Sequence, residues 1–61
     1  MTTTANDIYR VESPRGRQDF DTYAQAREVF QRYVSDDDAW VEVWEISGWQ
    51  AVCRCTFTMG R

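Results

Sequence analysis

Apolar and polar residues alternate along Asp7 to Glu12, a run rich in strand formers, and predict a short first strand. Ser13-Pro14-Arg15-Gly16-Arg17 then breaks the pattern with Pro and Gly and marks a turn. From Asp19 to Val34 the spacing lengthens to that of a helix, with Tyr23, Ala26, Val29, Phe30 and Tyr33 on one stripe. Thr22 followed by Gln25 offers a capping box, and Asp19 and Asp21 sit where the helix dipole is positive. Glu28 and Arg32 are placed to pair on the solvent side. Ser35-Asp36-Asp37-Asp38 closes the helix, because adjacent carboxylates repel its negative end and one another. Ala39 to Ile46 and Trp49 to Met59 read as two strands joined through Ser47-Gly48. The prediction is an α+β domain over residues 7–59, a three-stranded antiparallel sheet in the order β-α-β-β with one helix on one face. Residues 1–6 read as a flexible leader and 60–61 as a tail.

The register of the last hairpin decides which side chains are left over, since a slip of one residue exchanges the two faces of a strand. A two-residue turn at Ser47-Gly48 would group Glu42 with Trp40, Trp44, Ala51, Cys53 and Cys55, burying a carboxylate among rings and thiols. A three-residue loop, Ile46-Ser47-Gly48 with Gly48 left-handed, sorts the faces better and is the preferred reading. Val41, Val43, Ala51, Cys53, Cys55 and Phe57 then point at the helix, and Trp40, Glu42, Trp44, Gln50, Val52, Arg54 and Thr56 point away. Trp40 and Arg54 become cross-strand neighbours in reach of a cation–π contact, with Glu42 diagonal to them. One helix cannot cover three strands, so Trp40, Trp44 and Arg54, with Glu42 orienting Arg54, have the composition of an interface centre. The competing structural reading is that the tryptophans cap the sheet edge or fold under the Arg15 loop, extending a thin core.

Composition narrows the function classes. A chain of 61 residues buries only about 60% of what it exposes unfolded, so it is expected to be marginally stable without a partner. It has no His, no Lys and no Leu, and carries a formal charge of −3. Lack of His removes the usual proton shuttle near neutral pH, and the acidic balance argues against gripping phosphates, so no direct nucleic-acid binding is expected. Charge divides unevenly: residues 1–18 carry +1, residues 19–38 carry −4 and residues 39–61 carry none. No run approaches a membrane span of roughly 18 apolar residues, and the first six residues lack the pattern of a secretory leader, so the expected compartment is the cytosol. Cys53 and Cys55 are read as two buried thiols on one strand face, badly placed to join each other and too few for structural zinc.

Candidate chemistry is sparse. Asp36, Asp37 and Asp38 are the densest carboxylates, and a solvated loop explains them more simply than an acid/base pair in a dry cleft. Carboxylates on a helix and loop can also imitate a phosphate backbone and steer toward a basic groove on another protein. The glycine spacing of a phosphate-binding loop is missing, and no catalytic residue, cofactor or metal is expected.

A short acidic chain with a strand, then Phe20-Asp21-Thr22-Tyr23-Ala24-Gln25-Ala26 opening a helix, then the hairpin Val41 to Trp49, resembles the small strand-helix-strand-strand proteins of phages and mobile elements, anti-CRISPR proteins among them. The likeness covers Asp7 to Met59 and lies in size, acidity and topology. It implies a non-enzymatic inhibitor that binds a host protein or ribonucleoprotein defence complex in the host cytosol and blocks it. The partner-binding residues expected from the face argument are Trp40, Glu42, Trp44 and Arg54 as anchors, and Asp36, Asp37 and Asp38 as electrostatic guides. The alternative is a homodimer in which the same tryptophans pack across a two-fold axis.

Overall fold

The computed structural model of the chain describes residues 7–59, so the expected leader and tail lie outside the described residues. Five elements follow in order: β1 (Ile8–Ser13), β2 (Gly16–Phe20), α1 (Tyr23–Ser35), β3 (Trp40–Ser47) and β4 (Gln50–Thr58). The class is α+β as expected, but the antiparallel sheet has four strands rather than three, in the order β2-β1-β3-β4. The additional strand is β2, which occupies residues assigned above to a turn and to the start of the helix.

β2 forms because the first turn is shorter than its Pro and Gly suggested. Ser13 pairs with Gly16, leaving Pro14 and Arg15 as the whole turn. Pro at the second position and Ser at the first suit a type I turn, and the Ser13 hydroxyl accepts from the Arg15 amide at 3.1 Å. Gly16 takes a φ of +113°, which a side chain would resist. The chain then runs back along β1, pairing Arg10 with Asp19 and Tyr9 with Phe20.

The helix begins at Tyr23 rather than Asp19, since the residues before it are engaged in β2. Thr22 is its N-cap, accepting from the Gln25 amide at 3.2 Å. At the other end Asp38 N–H donates to the Tyr33 carbonyl and Asp37 N–H to that of Val34, both at 3.1 Å. That is a Schellman motif, and its left-handed residue is Asp37, with φ +68° in place of the glycine usually found there. Tyr23, Val29, Phe30, Tyr33 and Val34 pack around a fully buried core of Val11, Ala26, Val41 and Val43. Ala26 has no exposed surface, and its small side chain lets the helix approach the sheet closely.

Both anticipated registers of the last hairpin are overturned. Ser47 pairs with Gln50, so the turn is Gly48-Trp49. Gly48 has φ +60° at the first central position, the arrangement of a type II′ turn, which matches strand twist and favours glycine there. That turn sets Val52 opposite Glu45 on the helix side, while Cys55 opposite Val43 and Phe57 opposite Val41 must also face the helix. Val52 and Cys55 are three residues apart, an odd spacing that alternation alone cannot satisfy. A bulge resolves it, with Arg54 as the extra residue between the Trp44–Cys53 and Val43–Cys55 pairs. Ala51 and Cys53 therefore point away from the helix and Val52 and Arg54 toward it, the reverse of the expectation. The two cysteines lie on opposite faces, and Cys53 is exposed rather than buried.

Candidate functional site

The face of the sheet turned from α1 can be read row by row from the strand pairings. Ile8, Ile46 and Ala51 form one row. Asp19, Arg10, Trp44 and Cys53 form the next, followed by Arg17, Glu12, Glu42 and Thr56 and then by Trp40 and Thr58. The described residues provide no element above these rows. Trp40 is 37% exposed and lies beside a hollow lined by Glu12, Ser13, Gly16 and Arg17. Trp44 is half-buried, and its indole N–H donates to Glu42 Oε1 at 3.0 Å. Trp40 and Trp44 are thus on the helix-free face, with neither ring under the helix.

Arg54 leaves this group. The bulge turns it to the helix side, where it donates to Glu45 Oε1 at 2.9 Å and stands 5.6 Å from the centre of the Tyr23 ring. Glu42 accordingly orients Trp44, and Glu45 orients Arg54. The cations on the helix-free face are Arg17 and Arg10, and the guanidinium of Arg10 grips Asp19 at 2.7 and 3.1 Å. Those hydrogen bonds hold the Asp19 carboxyl below the usual carboxylate range.

The acidic loop is likewise committed within the molecule. Arg15 reaches back from the β1–β2 turn, donating through Nε and Nη2 to both oxygens of Asp38 at 2.8 Å and through Nη2 to Asp36 at 3.1 Å. Its guanidinium lies 4.1 Å from the centre of the Tyr33 ring. The fork geometry pushes the Arg15 pKa up and the Asp38 pKa down, each mainly through their shared hydrogen bonds. Two of the three aspartates thus face a cation of their own chain, and Asp37 has its backbone in the helix cap.

On the helix side, Tyr9 and Tyr23 meet at 5.7 Å between ring centres, Tyr9 donates to Glu45 at 3.4 Å, and the Tyr23 hydroxyl lies 3.0 Å from Cys55 Sγ. The contact with Cys55, then burial, raises the Tyr23 pKa. Cys53 on the other face is pushed up by desolvation against the sheet and by the Glu42 carboxylate, the reverse of thiolate activation. Among the described residues no three His, Cys, Asp or Glu side chains come together as a metal site, and no helix is long and apolar enough to cross a membrane.

Residue-level reasoning missed Ile8, Arg10 and Ile46 on the helix-free face, although the alternation of Asp7 to Glu12 contained the signal for the first two. It also passed over Trp49, which sits at the tip of the β3–β4 turn and is 90% exposed. A tryptophan directly after the turn glycine was the available cue. No protein-family profile, curated protein or solved structure matches this chain.

Proposed function

We propose that this chain is a non-enzymatic protein-binding module that works through the helix-free face of its sheet. One observation carries the reading: Trp40, Trp44, Ile8 and Ile46 share a face over which the described chain lays nothing. Aromatic anchors amid a polar surround, here Arg10, Glu12, Arg17 and Glu42, are the usual make-up of an interface centre. The resemblance to phage and mobile-element inhibitors makes a host protein or ribonucleoprotein defence complex of the CRISPR type, met in the host cytosol, the proposed partner. Blockade by occlusion is favoured over imitation of nucleic acid, because Arg15 already occupies Asp36 and Asp38.

The test is co-purification of tagged protein from a bacterial host, with the captured complex then titrated against variants. Trp40→Ala with Trp44→Ala should weaken binding by a hot-spot amount, about 2 kcal/mol or more, while circular dichroism reports an intact fold. Asp37→Asn removes an acidic side chain without touching the Arg15 clamp and should bind as wild type. Undiminished binding by the tryptophan pair, or loss with Asp37→Asn alone, would move the site to the acidic loop.

A further inference from the structure

A four-stranded sheet has two edges, and in this chain they are treated differently. β2 is short, carries Arg17 and Asp19, and has Asp19 tied to Arg10, all of which discourage another strand from pairing with it. β4 is the longest strand at nine residues, Gln50–Thr58, with no Pro and no acid. Its one charge, Arg54, is folded onto its own sheet by Glu45 and Tyr23. The helix packs chiefly over β1, β2 and β3 and leaves Val52 and Arg54 uncovered; with Ala51 and Cys53 on the open face, Gln50 to Arg54 are exposed in succession. A shallow groove runs along the helix from Tyr23, the residue that touches β4 through Cys55, past Arg27 to Gln31.

We infer that the occupant of this edge is a second copy of the chain, joined β4 to β4 in antiparallel fashion about a two-fold axis to give a continuous eight-stranded sheet. An antiparallel strand pair is its own symmetry mate, so the same surface serves both copies. Charge points the same way. The chain is acidic overall, yet this edge presents no carboxylate, and the Arg54 of each copy, which this register sets opposite its mate at the axis, is paired with Glu45 of its own chain. The apolar residues are arranged to match: Trp49 precedes β4 and is 90% exposed, and Met59 follows it and is 43% exposed. Antiparallel pairing brings the Trp49 end of one strand beside the Met59 end of the other. A standard interface covers about 800 Å² per partner, nearly a fifth of the 4269 Å² that the chain exposes. This interface leaves the Trp40–Trp44 face open and is independent of the partner reading above.

The experiment is sedimentation or light scattering from low-micromolar to near-millimolar chain, on wild type and on Val52→Lys with Thr56→Lys. Val52 faces Glu45 across β3 and Thr56 faces Glu42, so each new ammonium meets a carboxylate within its own chain and the fold is kept. Wild type should reach twice its 7.2 kDa mass, and the double variant should weaken association by about tenfold or more. Trp40→Ala with Trp44→Ala should leave the dimer intact. Should the double variant fail to fold, hydrogen exchange of wild type decides: β4 amides gain protection as concentration rises and β2 amides do not. A wild-type monomer throughout, a dimer indifferent to the lysines, a dimer lost with the tryptophans, or concentration-independent β4 exchange would each overturn the inference.

Discussion

The two hairpins make an informative pair. Each has a two-residue turn and contributes two adjacent strands to one sheet. The β1–β2 hairpin is drawn in: Arg15 at its tip clamps Asp36 and Asp38 beyond the helix, Tyr33 donates to Gln18 at 3.1 Å, and Arg10 holds Asp19. The β3–β4 hairpin projects: its tip is Gly48-Trp49 with the ring in solvent, and the first half of β4 is bare. The difference teaches that a charged, weakly apolar strand can be integrated through polar contacts while a more apolar one is left open. Apolar content that folding does not use is the reason to look for a partner along β4 and on the tryptophan face.

The sharpest way to probe this asymmetry is a matched pair of truncations on paired strands. Val43 on β3 has no exposed surface and Val52 on β4 is 55% exposed. Val43→Ala should cost about 2 kcal/mol in chemical denaturation, through lost burial and a residual cavity. Val52→Ala should cost less than about 0.5 kcal/mol, and an equal cost would mean that β4 is packed in the monomer.

Acid should separate the hairpins next. Asp19 and Asp38 have carboxyl pKa values lowered by Arg10 and Arg15, so the stability they confer is complete above the unfolded value of about 3.9 and drains away as pH falls through the lower folded values. Amides of β1 and β2 should lose protection below about pH 4 before those of the β3 core pairs. The melting-temperature gap between wild type and Arg15→Gln, open at neutral pH, should narrow over the same range. A gap that persists in acid would assign the Arg15 contribution to its stacking on Tyr33.

A smaller gain is expected from Asp37→Gly. It relieves a left-handed non-glycine residue in the helix cap and should stabilise by about 0.5 to 1 kcal/mol, read from the unfolding midpoint. The least effect belongs to Trp49→Ser, within about 0.5 kcal/mol of wild type at concentrations where the chain is monomeric. A large loss there would show that the projecting tip is anchored after all.

Where the sequence was legible, one periodicity dominated. The helix stripe from Tyr23 to Tyr33 and the β3 pair Val41 and Val43 follow from spacing alone, because each buries a repeating apolar position. β2 was opaque because Gly16-Arg17-Gln18-Asp19-Phe20 has one apolar side chain, and it is held by contacts distant in sequence, Gln18 to Tyr33 and Asp19 to Arg10. The site divided the same way. Trp40 and Trp44 could be placed by alternation with Val41 and Val43. Arg54 could not, since its direction depends on a bulge that exists only to reconcile the Gly48 turn with the inward demand of Cys55 and Phe57. Likewise the Arg15 clamp on Asp36 and Asp38 joins residues more than twenty positions apart and leaves no local signature.

The same one-residue insertion at Arg54 hands the molecule two chemically distinct reporters. Cys53 stands on the tryptophan side and Cys55 beneath the helix against a tyrosine hydroxyl. A maleimide dye applied to the folded protein at mildly alkaline pH should attach at the exposed Cys53 first, so a fluorophore placed there would watch one surface while the half-buried Cys55 thiol reacts more slowly.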